Sequence, residues 1–288
     1  MDHMNIDELL QGSVDMHVHF FPDALMEFRM DAVDTAMQAR DMGVKGLVLK
    51  AHTYPTAPVA ALAEKAVPEV KVFGSICLEY ECGGLNPYAL SAMAQLGTKV
   101  VWMPTHSSSN EIKGSAGVTL AQEGFSILDS NNQLVPEIDK ILSVIKEYNM
   151  VLCSGHISPA ETYPLVDAAL AKGISKIVIT HPLTAEIAKQ KFTLEDLVKL
   201  GKIGAYIEHT FVTYLPNELR HDPKRLVDTI RAVGADQTII STDLGQQWNM
   251  PQAEGMRMFI ATLLMSGATE REVELMAKVN PSKLLDLI

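Results

Sequence analysis

Residues 13–23 read SVDMHVHFFPD, a short apolar run that enters a loop. On a β-strand successive side chains point to opposite faces. Asp15, His17 and His19 are then expected on one face, with Val14, Met16 and Val18 on the other. The two imidazoles would sit roughly 6–7 Å apart along the strand, close enough to converge on one metal ion. Two hydrogen-bonded histidines at a strand edge would look the same in isolation. The residues that follow, FFPD, contain no glycine. A doubly wound open sheet usually places a glycine-rich phosphate loop at that position, so the stretch turns the reading towards a barrel.

Outward from this strand the chain alternates. Short β-branched runs fall at 13–20, 44–50, 70–79, 98–104, 150–156, 175–181, 203–209 and 237–243. Most are continuously apolar, as expected of parallel strands covered on both faces. Helical patterns separate them, beginning with 24–43. Several start at a cap and stop at a glycine. Ser158, Pro159 and Glu161 form an N-cap, an N1 proline and a capping-box acid. Eight strand–helix units in 288 residues predict a single α/β domain over residues 1–288, a (β/α)8 (TIM) barrel. One long insertion, residues 105–135, follows strand four. It is rich in Ser, Gly and Asn, with a hairpin expected to turn at residues 130–132. Such a loop either shapes the active site or is a variable surface insertion.

The bulk properties exclude several classes. A formal net charge of −11 without a basic cluster argues against nucleic acid and anionic membranes as partners. Three cysteines, Cys77, Cys82 and Cys153, make no disulfide framework. No apolar run approaches ~20 residues, and the N-terminus lacks the pattern of a secretory signal. A cytoplasmic location is expected. Met250, Met256, Met258 and Met265 on the last helices suit either core packing or an interface between copies of the chain, so a homo-oligomer stays open.

Of the nine histidines, seven fall at the C-terminal ends of predicted strands. His17 and His19 end strand one, His52 follows strand two, and His106 follows strand four. His156, His181 and His209 end strands five, six and seven. Asp243 ends strand eight. Only His3 and His221 lie elsewhere. In a barrel all these ends open onto the face where active sites are built. Neutral imidazole and carboxylate suit Zn²⁺ and related divalent ions. An ion with an open position lowers the pKa of bound water towards ~7, and a nearby acid or imidazole can move the proton. Cys153, three residues before His156, is a weaker nucleophile candidate on the opposite face.

These motifs resemble the amidohydrolase superfamily of metal-dependent barrels. The resemblance rests on His-x-His after strand one (His17, His19), His156 after strand five, His181 after strand six and Asp243 after strand eight. The ending NPSKLLDL (280–287) also resembles the Asn-Pro-x-x-Leu-Leu close common there. The match spans almost the whole chain. It implies a divalent metal cofactor, most readily Zn²⁺ with Mn²⁺ as an alternative, at one or two ions per chain. His17, His19 and Asp243 would bind the first ion. His156 and His181 would bind a second; in a one-metal layout His156 joins the first set and His181 polarises substrate or water. Asp243 would be the general base. The resemblance breaks at strand four, where a carboxylated lysine or a glutamate usually bridges two ions and this chain has MPTHSS. Lys99 stands at the wrong end of that strand, and Lys50 or Glu79 might substitute. Asp15 would orient one of the histidines, or serve only the start of the strand.

The resemblance thus implies a hydrolase of a small-molecule amide, lactam, lactone or ester through a metal-activated water. The alternative is a one-metal decarboxylase of a small carboxylic acid, with Lys50 or Arg29 holding the carboxylate. Candidate substrate-binding residues are Lys50, His52, His106, Glu208 and His209, with Glu79, Tyr80, Gln246 and Trp248 as further lining.

Overall fold

A computed structural model describes residues 5–111, 123–184, 187–215 and 221–288. His3 and the centre of the strand-four insertion lie outside the described residues. Eight parallel strands follow one another in chain order around a nearly closed barrel. They are β1 (Val14–His19), β2 (Gly46–Lys50), β3 (Lys71–Cys77), β4 (Thr98–Trp102), β5 (Val151–Cys153), β6 (Ile177–Ile179), β7 (Tyr206–Thr210) and β8 (Thr238–Ser241). Just beyond β8, Asp243 N–H donates to His17 O at 2.8 Å and His19 N–H donates to Leu244 O at 2.9 Å. These bonds bring the last strand back to the first. The (β/α)8 barrel read from the alternation is the fold.

The helices pack outside. After the short α1 (Ile6–Leu10), the layer runs α2 (Ala32–Asp41), α3 (Ala57–Ala66), α4 (Pro87–Gln95), α5 (Pro136–Glu147), α6 (Pro159–Ala171), α7 (Leu194–Lys202), α8 (Pro223–Val233) and α9 (Gln252–Met265). The capping box expected at Ser158 and Glu161 opens α6. In α5, Ile138, Ile141, Leu142 and Ile145 recur at helical spacing and are fully buried, each contributing about 1.5–3 kcal/mol. The chain then passes through α10 (Glu270–Glu274), a π-helical turn over Leu275–Val279, and α11 (Asn280–Leu284).

The barrel interior is a packed cluster that includes Val48, Cys77, Trp102, Val151, Cys153 and Ile239. Leu284 and Leu285 of the NPSKLLDL segment join it from below. Asn280 Nδ2 donates to Ala235 O at 2.8 Å and Thr238 O at 2.7 Å, which fixes that segment at the start of β8. Lys99 and Lys176 both pair with Asp286 at 2.6 Å on the same floor. Lys99 is therefore far from the mouth, as its place at the start of β4 implies.

Two local readings are corrected. The helix expected over 24–43 begins only at Ala32. Asp31 caps it by accepting from Val33 N–H and Asp34 N–H, and Asp23 Oδ1 closes a separate turn by accepting from Leu25 N–H and Met26 N–H. Side-chain acceptors of this kind compete with helix. Residues 21–31 instead fold back along the loop after β8, where Arg29 N–H donates to Gly245 O.

The second correction concerns β1. Its pairing to β2 steps from Asp15↔Leu47 to Val18↔Leu49, so β1 carries one extra residue. This bulge breaks the simple alternation. Val14 and Met16 pack inside the barrel, whereas Val18 packs against the helices. Asp15 does not touch a histidine ring. Its Oδ1 accepts from the N–H groups of His17 and Thr242, and its Oδ2 accepts from the Thr242 hydroxyl at 2.6 Å. It is a barrel-closing residue.

In the strand-four insertion, the tight turn expected at residues 130–132 is present. Asp129 N–H donates to Gln133 O at 2.8 Å, and Asn132 sits at φ 58°.

Candidate metal centre

The strand ends bring six imidazoles into a closed ring. Successive ring centroids are 5.3 Å apart for His17–His19, 5.2 Å for His19–His52, 4.1 Å for His52–His106, 6.0 Å for His106–His156, 4.9 Å for His156–His181 and 5.7 Å for His181–His17. Asp243 reaches into this ring. Its Oδ1 lies 3.2 Å from His17 Nε2 and 3.1 Å from His19 Nε2, and its Oδ2 lies 3.9 Å from His181 Nε2. The donor atoms of His17, His181 and Asp243 all lie within 4.8 Å of one another.

Local backbone explains the aim. Asp243 and His181 adopt left-handed φ of 56° and 22°, a conformation rare for non-glycine residues and concentrated at functional sites. Gly155, just before His156, has φ 58°. A Cβ there would stand 2.2 Å from Met103 O, so only glycine lets the β5 loop pass beside β4.

Buried carboxylates stand behind the rings. Glu208 Oε1 is 3.2 Å from His17 Nδ1 and also accepts from the Ser241 hydroxyl at 2.6 Å. Glu79 Oε1 is 3.3 Å from His52 Nδ1. Glu111 is shared: its Oε1 is 2.9 Å from His106 Nδ1, and its Oε2 contacts His156 Nδ1. A carboxylate only accepts, so each contact places the ring proton on Nδ1. In a neutral imidazole that leaves Nε2 as a lone pair. This arrangement orients and tunes metal-binding histidines.

The electrostatics agree. Burial lowers His19 to about 4 and His181 to about 3, and takes His52 well below its ordinary value. Burial alone would raise Asp243, but His17, His19 and His181 outweigh it and hold the carboxyl well below the usual range. Glu208 is likewise raised by burial yet held low overall, chiefly by His17. Glu111 is held well below its ordinary value by His156 and His106 against the effect of burial. Burial thus keeps His19, His52 and His181 neutral beside anionic carboxylates. The lone pair of His17 Nε2 faces a carboxylate oxygen, which requires positive charge nearby. Lys50 Nζ, 3.1 Å from His17 Nε2, supplies one such charge.

A cavity of about 320 Å³ opens above the ring. His19, Lys50, His52, His106, His156, His181 and Asp243 line its floor, with Asp23, Leu25, Met26 and Phe28 of the refolded 21–31 segment, Gln246 and Trp248 on its walls. Lys50 is buried, lies 5.4 Å from the Trp102 ring centroid, and has no carboxylate partner among the described residues.

Other candidates lie elsewhere. Glu208 stands behind His17 and does not line the cavity. His209 points to the opposite side of β7 from Glu208; burial lowers it to about 4, and both its ring nitrogens lack a partner among the described residues. Tyr80 meets Phe125 edge to face, with ring centroids 4.8 Å apart, away from the floor. Arg29 is exposed and donates to Gln247 O at 3.0 Å. Glu79 is not placed to bridge ions. It accepts from the N–H groups of Thr105, His106 and Ser107, and so holds the start of the β4 loop. Cys153 is buried in the barrel, and burial pushes its thiol well above its ordinary value. Glu111 was missed by the sequence reading. It sits five residues past His106 in a loop without periodicity, and nothing in its spacing marks it.

The chain belongs to the family described as a family of unknown function, DUF6282, whose model matches residues 12–208. No curated protein matches the chain. Among solved structures it is similar to an amidohydrolase from Pseudomonas aeruginosa, at 11% identity and a TM-score of 0.66, covering 98% of each chain. It is similar to a 2,6-dihydroxybenzoate decarboxylase from Rhizobium, at 14% identity and a TM-score of 0.59, covering 96% of this chain and 99% of that one. It is also similar to a lactonase from Listeria monocytogenes, at 13% identity and a TM-score of 0.60, covering 97% and 95%. At these identities the likeness is one of fold, and at that level it bears out the amidohydrolase-superfamily resemblance.

Proposed function

We propose that the chain is a metal-dependent hydrolase acting on a small-molecule amide, lactam, lactone or ester through a metal-activated water. One observation carries the reading: Asp243 meets His17, His19 and His181 at the floor of a cavity sized for a small molecule. The residues fit a divalent ion. Lone pairs face carboxylate oxygens in a buried setting, and nitrogen with oxygen donors suits Zn²⁺ first and Mn²⁺ second. His17, His19, His181 and Asp243 would hold it, with Glu208 fixing the His17 ring. Such an ion, when bound, lowers the pKa of water and polarises a carbonyl.

The chain's own groups do the rest. Asp243, kept ionised by its imidazole neighbours, takes the proton of the attacking water and returns it to the leaving group. Lys50 anchors an oxygen or an anionic group of the substrate at the floor. The walls from residues 23–28 and Trp248 screen the reacting groups from bulk water. The unpaired cysteines suit the cytoplasmic location proposed with this activity. Among the described residues no helix is long and apolar enough to cross a membrane.

Lys50 also favours a second reading. A buried cation without a carboxylate partner is a ready site for a substrate carboxylate, and one structure of similar fold is titled a decarboxylase. Decarboxylation of a small acid by the same centre is the alternative.

Protein purified without chelator tests both readings. Wild type should carry metal by elemental analysis, and Asp243→Asn should carry less. The zinc-loaded enzyme is then offered lactones, amides, esters and aromatic acids. Hydrolysis lost in Asp243→Asn supports the first reading; CO₂ release without hydrolysis selects the second. Absence of metal even after adding Zn²⁺ or Mn²⁺ overturns both.

A further inference from the structure

We infer that the substrate carries an apolar hydrocarbon arm, seated in the half of the cavity built by the loops after β7, β8 and β1. The inference rests on the function proposed above and deepens it, because it names the class of molecule on which the floor acts. The cavity is two-sided. Towards β2, β4, β5 and β6 it presents the rings of His52, His106, His156 and His181. Towards β7, β8 and β1 it presents Leu25, Met26, Phe28, Val212, Leu215 and Trp248. A substrate whose reacting carbonyl lies over Asp243 has its other end among these apolar side chains.

The polar groups that share those walls are already engaged. Asp23 Oδ1 accepts from Leu25 N–H and Met26 N–H, and its Oδ2 is buried. Gln246 Nε2 donates to Asp243 O at 3.2 Å, and Gln246 Oε1 accepts from Asn249 Nδ2 at 2.8 Å. Thr184 Oγ1 lies 3.3 Å from Thr213 Oγ1. The hydroxyls of a sugar or the amides of a peptide would leave water here and find few partners, a loss that hydrocarbon does not suffer.

The apolar half is preformed. Arg29 N–H donates to Gly245 O at 2.7 Å, which ties the 21–31 segment to the loop after β8. Phe28 stacks on His19, with centroids 5.3 Å and planes 15° apart. Beside Val212 and Leu215, the rings of Phe211 and Tyr214 stack on Phe259 of α9 at 5.2 and 5.7 Å. Walls held in this way take up an arm without first having to be ordered. Trp248, by contrast, is 73% exposed. Its indole stands uncovered at the cavity wall, and an arm lying along that wall would cover it.

A series of small carboxylates tests the arm, with Lys50 at the floor taking the head group of every member. Full-length protein, with Zn²⁺ in the buffer, is titrated calorimetrically with acetate, butyrate, hexanoate and gluconate. Tryptophan emission reports where the arm lies: the chain has two tryptophans, and Trp102 is buried in the barrel whereas Trp248 faces the cavity. Affinity should rise about threefold to fourfold per added methylene, with emission shifting to the blue. Gluconate, as long as hexanoate but hydroxylated, should bind no more tightly than acetate. Met26→Asn and Val212→Asn should each cut the preference for hexanoate over acetate about fivefold. If a variant fails to fold, the wild-type series and the gluconate comparison decide. No binding by any member, equal affinities along the series, gluconate ahead of hexanoate, or a preference unchanged in both variants overturns the inference and leaves the metal-dependent reading standing. That reading fails separately, if wild type takes up no metal; the series still reports on the apolar half, because Lys50 belongs to the chain itself.

Discussion

Asparagine at position 15 isolates the electrostatic cost of closing this barrel. Asp15 is 2% exposed where β1 meets the end of β8. Burial outweighs the hydrogen bonds from Thr242 and His17 and raises its carboxyl from 3.8 to about 7. Each tenfold change in proton affinity is worth about 1.4 kcal/mol. The ionised carboxylate therefore costs the folded state about 4 kcal/mol. The unfolded chain loses this proton near pH 4 and the folded chain near pH 7. Between those values the folded state binds more protons, so stability from this group falls as pH rises through the window and is level above it. Asparagine keeps an oxygen to accept from the Thr242 and His17 N–H groups and carries no charge. The assay is urea unfolding of metal-stripped wild type and Asp15→Asn from pH 4 to 8.5. His19, His181 and His209, all depressed by burial, make both proteins more stable as pH rises towards 6.5, and they cancel in the difference. That difference should swing by up to about 4 kcal/mol in favour of the variant between pH 4 and 8. A flat difference would refute the desolvation argument.

Three further outcomes are expected. Glu208→Gln removes the anion behind His17 Nδ1, and zinc affinity by equilibrium dialysis should fall about 10–100-fold; an unchanged affinity would mean that ring needs no orienting partner. Gly155→Ala drives a Cβ to 2.2 Å from Met103 O at a left-handed φ and strains the His156 N–H bond to Pro104 O. It should lose about 2–3 kcal/mol of stability in denaturant, together with zinc. Because burial lowers His19 to about 4 and His181 to about 3, protons compete poorly with the ion there, and zinc should be retained to about pH 5. Release with a midpoint near 6.5 would show rings titrating as exposed groups.

The barrel and the rim were legible because they rest on local signals. Apolar strand runs, capping boxes and histidines at strand ends are all written within a few residues of one another. His17, His19, His156, His181 and Asp243 could be placed at one mouth on that basis. What escaped depends on geometry across the barrel. The bulge in β1 hides in a stretch that reads as clean alternation, so Asp15 stayed open between a ring and the strand start, and its partner Thr242 went unseen. The helix start at Asp31 was signalled by a capping residue, but the apolar pattern of 24–30 ran on past it. Glu208 was seen and misplaced, because sequence cannot tell a residue in a cavity from one behind its wall. Glu111 carried no signal until the fold set it against two rings.

The join between β1 and β8 sets when this centre can exist. Asp15 and Thr242 are 227 positions apart, and His17 and His19 meet Asp243 only once that join is made. A growing chain carries the His-x-His pair long before the eighth strand, yet has no Asp243 to set beside it until that strand arrives. An ion bound there would be a late guest that finds its ligands assembled, and what it would stabilise is the seam of the barrel itself. Removing it should loosen β1 from β8 before any other pair of strands, a local opening that amide hydrogen exchange would register at Thr242 and Asp243 first.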